Sequence, residues 1–452
     1  MNNSCKSGYC SEKGLINEQK GILPQDFNLS DSLSFYIDHL KNTLLPFWLT
    51  RSIDYEYGGY YTCFDNTGET LVSKDKYTWS QGRMVWVFSK LSSMECFSQE
   101  ERKKFLELAK LGAEFLMKNC LLENGSCTFL MSREGVKKPV SEGSDLDISI
   151  SADCFVISGL SRYAAVSGDK KALQFAEKLY ESVLKRRKTG NYKTEPYPTP
   201  KGYKAHGGHS MTMLITSEEL VFGLKALGNE NWVQVDKYAD EYMNATLDLF
   251  IDDNGVLHEM VNNDGSFVTD TLLGRYINPG HILEDMWFII HQALEKENQN
   301  VIQECCNITK KTFDIGWDEN FGGLLLFADQ DGGRPKGSIS GIENEKMVKK
   351  VLNDWSSKLW WPHSEALYTT LLAYFLTLDE DFLELYRKVS EYTFKTFPNP
   401  NKEIGEWIQI RDREGKPEQK VVALPVKDPF HIIRNVVLII DLLEKEIRKM
   451  KK

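Results

Sequence analysis

Lys76-Tyr77-Thr78-Trp79-Ser80-Gln81-Gly82-Arg83 recurs late in the chain as Lys358-Leu359-Trp360-Trp361-Pro362-His363-Ser364-Glu365. A matching turn stands before each copy. Asp54-x-x-x-Gly58-Gly59 precedes the first and Asp318-x-x-x-Gly322-Gly323 the second, each followed by a short β-like run. A chain that repeats a turn, a strand-like run and a helix start is using one supersecondary unit more than once.

Working outward, the apolar spacing predicts helices over 31–48, 77–91, 100–119, 149–166, 171–187, 210–227, 232–249, 278–298, 300–315, 360–376, 381–397 and 430–450. Short strands are expected over 127–131, 258–261, 322–328 and 406–411, all in connections. Helix, connection, helix is the pattern of an α-solenoid or of a closed double ring. The level of the charged residues decides between them. Arg83 precedes Trp86 by three residues, Glu284 precedes Trp287 by three, and Glu365 precedes Tyr368 by three. His281-x-x-Glu284 opens one helix, and His431-x-x-Arg434 opens the last. Repeats closed into a ring bring these first-turn charges together at one end of the axis. An open solenoid spreads them along a surface. The expectation is therefore all-α, a toroid of about twelve helices, with residues 31–452 as a single domain and residues 1–30 as an extended or disordered segment.

Asn278-Pro279-Gly280 is a turn signal, and the helix after it carries His281 and Glu284 on one face of its first turn. A histidine and a carboxylate at the mouth of a buried, Trp-bearing helix need partners.

Bulk properties narrow the function. The 452 residues are 41% hydrophobic and 27% charged, as in a soluble globular protein. The formal charge is -10, and the basic tail over 445–452 is short, which argues against nucleic acid as a partner. No apolar run is long enough for a membrane span. Nine scattered cysteines without paired or metal-type spacing suggest free thiols in a reducing cytoplasm and no zinc site.

Five stretches carry a resemblance. DYEYGGYYTCFDNTGE with DKYTWSQGRMVWVFSKL, SADCF at Ser151–Phe155, GRYINPGHILEDMW at Gly274–Trp287, KLWWPHSEAL at Lys358–Leu367, and GEW with RDREGK and VALPVKDPFHIIR together resemble the N-acylglucosamine 2-epimerase family. The resemblance spans nearly all of the chain after about residue 30. It implies an (α/α)6 barrel with its site at one mouth and inversion of sugars at C2. It places the two catalytic histidines on His281 and His431. Substrate-binding roles fall on Arg83, Glu284, Glu365 and Arg434. It also implies a small-molecule sugar as partner, ATP as an allosteric activator in some relatives, and a homodimer. One departure stands out. Some branches carry a histidine three residues before a central helix glutamate, and Ile215 stands there before Glu218, which disfavours cellobiose as substrate.

The chemistry fits these residue types. Inversion at C2 needs an opened ring, a carbonyl at C1, and two groups of near-neutral pKa on opposite faces of a planar enolate. The enolate oxygen needs a cation or donor, for which Arg83 and then Arg434 are the candidates. Glu284 is expected to orient His281 or hold a hydroxyl, and Glu365 to hold Arg83 or a hydroxyl. Tyr60, Trp79, Trp360, Trp361 and Trp407 suit the apolar face of a sugar, whereas Trp86 and Trp287 read as core. His39, His258 and His291 read as structural or exposed, and Lys76 and Lys358 as surface charges at helix starts. His206, His209 and His363 carry no assigned role. No cofactor or metal is required, and no GxGxxG or P-loop is present. Three alternatives stay open: an aldose–ketose isomerase on the same fold, a glycoside hydrolase using Glu284 and Glu365, and a catalytically silent protein-binding member.

Overall fold

The computed structural model describes residues 27–451, so the expectation for the first segment lies outside the described residues up to residue 26. Six helices form an inner ring: α3 (Thr78–Leu91), α5 (Ile150–Ser167), α7 (Thr212–Ala226), α10 (Pro279–Glu295), α13 (Trp360–Thr377) and α15 (Phe430–Met450). Each packs on the next, and α15 packs back on α3, so the ring closes. An outer helix backs each one: α4 (Gln99–Asn119), α6 (Lys170–Thr189), α8 (Trp232–Phe250), α11 (Gln299–Gly316) and α14 (Glu380–Thr396) cover α3, α5, α7, α10 and α13 in turn. The sixth outer helix is α1 (Leu29–Asp38), which runs through a π-helical turn over His39–Leu44 into α2 (Leu45–Arg51) and covers α15. This is an (α/α)6 barrel. Two short helices lie outside the repeat, α9 (Leu272–Arg275) and α12 (Lys346–Asp354). Neither was legible, because each sits in a connection without sustained periodicity.

Burial follows position in the ring. Inner helix α13 is buried along nearly its whole length, while α14 buries one stripe around Phe382, Leu383, Tyr386 and Val389. Where α3 crosses α5 the backbones touch. A Cβ on Gly82 would lie 2.3 Å from the Phe155 carbonyl oxygen, and one on Gly159 would lie 2.3 Å from that of Gly82. Neither backbone can yield without parting the helices. Gly82→Ala is expected to cost about 1–3 kcal/mol of stability, read as a lower urea midpoint; an unchanged midpoint contradicts this packing.

The N-termini of the inner helices share one mouth, and short antiparallel ladders tie the connections there. β1 (Lys76–Tyr77) pairs with β2 (Leu130–Met131), which pairs with β3 (Lys137–Lys138). β4 (Tyr203–Ala205) pairs with β5 (Met260–Asn262), β6 (Tyr276–Ile277) with β7 (Ala328–Asp329), and β8 (Lys358–Leu359) with β9 (Ile410–Arg411). β2, β5, β7 and β9 fall in or beside the four expected stretches but are shorter, and their partners β1, β3, β4, β6 and β8 lie where no strand was expected.

The sequence repeat is a structural repeat, and it corrects one expectation. Lys76 and Lys358 are not surface charges; both are fully buried. Lys76 Nζ lies 2.9 Å from Asp54 Oδ2 and donates to the Gly58 carbonyl, and Lys358 Nζ lies 3.1 Å from Asp318 Oδ2 and donates to the Gly323 carbonyl. Arg133 and Arg413 add a second cation to the two aspartates. The paired glycines turn at positive φ (84° and 73°, 72° and 75°), which keeps each lysine's carbonyl partner within reach. Gln81 and His363 also correspond. Gln81 brackets the backbone of Tyr60 with both ends of its amide. His363 donates from Nδ1 to the Leu359 carbonyl and accepts the Leu324 N–H at Nε2. His363 is thus a neutral strut, and burial pushes its pKa down to about 3.

Candidate active site

Side chains from the first turns of the inner helices converge at the mouth around Trp361. The His281 ring lies on one side of its indole, with centroids 5.2 Å apart, and the His431 ring also lies against it at 5.6 Å. Gly280 makes this approach feasible, since a Cβ there would sit 2.5 Å from Trp361 Cζ3. The two histidines, far apart in sequence, therefore flank one residue.

Each histidine has a carboxylate at Nδ1. For His431 it is Glu365 at 2.7 Å, and for His281 it is Glu259 at 3.2 Å. The other surroundings differ. His431 Nε2 lies 3.2 Å from an Arg83 nitrogen, and Arg434 approaches Nδ1 at 3.3 Å. Burial, joined by those two guanidinium groups, outweighs Glu284 and Asp428 and pushes His431 down to about 3. Burial also opposes charge on His281, but Glu259 outweighs it and the pKa rises. About a third of the His281 side chain stays open to the mouth (35%). At neutral pH one ring thus rests neutral and the other is biased toward the imidazolium.

The carboxylates form a bridged cluster. Arg434 donates to Glu284 and, at 2.6 Å, to Glu365. Trp287 Nε1 donates to the other Glu365 oxygen at 2.8 Å. Glu284, Glu365 and His431 place donor atoms within 4.8 Å of one another, the one such trio among the described residues. The Arg434 guanidinium already bridges the two carboxylates, so the donors are spent on a fixed cation. Arg83 lies over the faces of Phe155 (4.1 Å), Phe430 (5.0 Å) and Trp79 (5.1 Å) and is paired to Asp428 at 2.5 Å.

Several expectations change here. Arg83 is held by Asp428, not by Glu365. Glu284 pairs with Arg434, and Glu259 takes the place beside His281. Tyr60 is not at the mouth: it is fully buried, and its hydroxyl donates to the Leu108 carbonyl at 2.7 Å. Trp407 is buried too, with Nε1 donating to His39. Trp79 does belong here, stacked on Phe155 at 5.0 Å. Trp86 and Trp287 are core, as expected, yet their N–H groups hold Glu219 and Glu365. His258 and His291 are structural, bonded to the Gly274 carbonyl and the Tyr368 hydroxyl.

Below the mouth a small cavity is lined by Phe155, Thr212, Ile215, Trp287, Phe430 and Arg434, so Ile215 does face the axis. A cleft of about 380 Å³ is lined by Tyr192, Thr199, Lys201, Tyr203, Lys204, Gly208 and His209, and a Cβ on the adjoining Gly207 would lie 3.7 Å from the His281 ring. Burial first, then Arg187, Lys204 and His206, holds His209 down to about 4.

Glu259 and His206 were missed as functional residues. His206 is fully buried, with Nε2 2.7 Å from Asp285 Oδ2. Burial opposes its charge, but Asp285 and Glu259 outweigh burial and raise it to about 9. The folded value exceeds the unfolded one, so the stability from this contact is complete below pH 6.5 and is lost as pH rises through about 9. Wild-type urea midpoints should fall across that window, and those of His206→Gln should fall less; parallel slopes would contradict the assignment. The signal for Glu259 was an acid inside the apolar run 256–261, which cannot be buried without a partner.

The sequence pattern of the N-acylglucosamine 2-epimerase (GlcNAc 2-epimerase) family matches residues 59–434. The chain is 29% identical to the mouse N-acylglucosamine 2-epimerase, covering 88% of each chain. It is 25% identical to the Dictyoglomus turgidum cellobiose 2-epimerase, covering 87% of this chain and 94% of that one. The fold is similar to that of the cellobiose 2-epimerase from Spirochaeta thermophila, with a TM-score of 0.71 at 18% identity over 94% of this chain and 100% of that chain. Among the described residues no helix is long and apolar enough to cross a membrane.

Proposed function

The chain belongs to the N-acylglucosamine 2-epimerase family of carbohydrate isomerases, and from that premise we propose that it interconverts N-acyl-D-glucosamine and N-acyl-D-mannosamine by inversion at C2. The observation that carries this reading is the pair of imidazoles flanking Trp361, each held through Nδ1 by its own carboxylate. An epimerase with two faces to serve needs one group ready to take a proton and one ready to give it.

The open-chain aldose presents a carbonyl at C1. Neutral His431, its Nδ1–H held by Glu365, removes the C2 proton through Nε2, and the electron pair moves to the C1 oxygen as an enolate. Arg83 lies 3.2 Å from that nitrogen and supplies a fixed cation for the forming charge. His281, held through Nδ1 by Glu259, gives its proton to the opposite face of C2. The reverse reaction exchanges the two roles. Trp361 and Trp79 offer apolar faces to the sugar, and the cleft beside His281 gives room for its far end. The mouse relative, named for an N-acylglucosamine 2-epimerase, and Ile215 on the axis both weigh toward the N-acyl sugar over cellobiose.

Incubation with N-acetylmannosamine in deuterated water should yield N-acetylglucosamine carrying deuterium at C2, read by NMR. A ketose from mannose, with N-acetylmannosamine left untouched, would replace this proposal with the aldose–ketose isomerase.

A further inference from the structure

Behind His281 a line of buried groups runs away from the mouth. His281 Nδ1 faces Glu259 at 3.2 Å; Glu259 Oε1 faces His206 Nδ1 at 3.7 Å; His206 Nε2 meets Asp285 Oδ2 at 2.7 Å. Thr246 Oγ1 adds a contact to the same Asp285 oxygen at 3.1 Å. The line is built by the fold. The antiparallel register Tyr203↔Asn262, Lys204↔Val261, Ala205↔Met260 continues one step, and the His206 N–H donates to the Glu259 carbonyl at 2.9 Å. That step sets His206 beside Glu259. Asp285 lies one helical turn beyond His281 on α10, so α10 carries both ends of the line.

We infer that Asp285, His206 and Glu259 form a buried charge chain that positions His281 and sets how tightly it holds its proton. The inference rests on His281 as one of the two acid/base groups. A negative Glu259 draws the proton onto His281. A positive His206, held so by Asp285, stands on the far side of Glu259 and tempers that pull. The charges alternate, so each member has the opposite effect from its neighbour on His281. The charged groups that face His281 are Glu259 from the β5 connection, His206 from the head of α7, and Glu284 from its own helix. Those that face His206 are Asp285 and Glu259, with His209 three residues along the chain responding to it. On the His431 side the carboxylate, Glu365, is instead bridged by Arg434 and Trp287. The two faces of the site are therefore tuned by different means, a fixed guanidinium on one and a titratable histidine on the other.

The full chain labelled with 13C at histidine ring carbons, with His281→Gln used to assign the resonance, gives the titration midpoint of His281 directly. Glu259→Gln should lower that midpoint by about 1–3 pH units, the range for loss of one adjacent opposite charge. His206→Gln should raise it, and Asp285→Asn should raise it as well, because His206 then loses the anion that keeps it charged. Opposite displacements in Glu259→Gln and Asp285→Asn support the chain, and a merely structural role would not produce them. An unmoved midpoint in Glu259→Gln, or displacements of one sign in all folded variants, overturns it. Failure of wild-type protein to exchange deuterium at C2 counts against His281 as an acid/base and leaves the midpoints as measured, so the two failures are separable.

Discussion

His431→Asn is expected to lower kcat for C2 inversion by about 10^2–10^4-fold, the contribution of a positioned general acid or base, while its urea midpoint stays near that of wild type. Glu365 holds the ring at Nδ1 and Nε2 lies beside Arg83; in the proposed scheme Nε2 takes the C2 proton, so the substitution removes the neutral proton acceptor of the pair. Asparagine keeps a polar group near Glu365 and limits the packing cost. The sharper readout is isotopic. With only His281 remaining, deuterium should enter C2 of the one epimer whose proton faces that ring, and the other epimer should stay unlabelled. His281→Asn should show the converse. Undiminished inversion by either variant would remove the two-base scheme.

Arg434→Leu should be among the most destabilising single changes, at about 3–5 kcal/mol, the cost of leaving a buried charge without its partner. Glu284 (5% exposed) and Glu365 (0%) would then share a buried cluster without the cation that bridges them. The sign with pH is distinctive. Carboxylates stripped of a cation and kept buried bind protons more readily in the folded than in the unfolded state, so the variant should regain stability as pH falls. Denaturation curves at neutral and mildly acidic pH test this. A variant as stable as wild type at neutral pH, or one losing stability in parallel with it on acidification, would show that Arg434 does not hold the cluster together.

The same cluster illustrates what spacing could and could not foretell. That Arg83, Glu284, Glu365 and Arg434 would meet followed from their level in equivalent first turns, because a closed ring places equivalent turns at one end. Their pairing did not follow. Asp428 and Glu259 sit in connections with no periodic signal, and each took a partner that spacing had given to another residue. Tyr60 illustrates the opposite error: an aromatic in a recurring motif reads as functional, but Gly112 leaves room for its ring and Leu108 accepts its hydroxyl inside the core.

What the chain determined by itself is the class of fold and the level of the site. Apolar period and motif recurrence are local properties, and the shared level of the charged first turns selected a closed ring over an open solenoid. Contact across the ring belonged to the tertiary structure. Which acid sits on which base is fixed by distances of a few ångströms between groups hundreds of positions apart, 345 for Arg83 and Asp428. Such distances emerge only once the helices pack and a short ladder such as β4 with β5 sets its register. Burial then converts those distances into proton affinities, because a low-dielectric mouth strengthens each neighbouring charge. The two histidines look alike in sequence, and their proton affinities move in opposite directions for that reason.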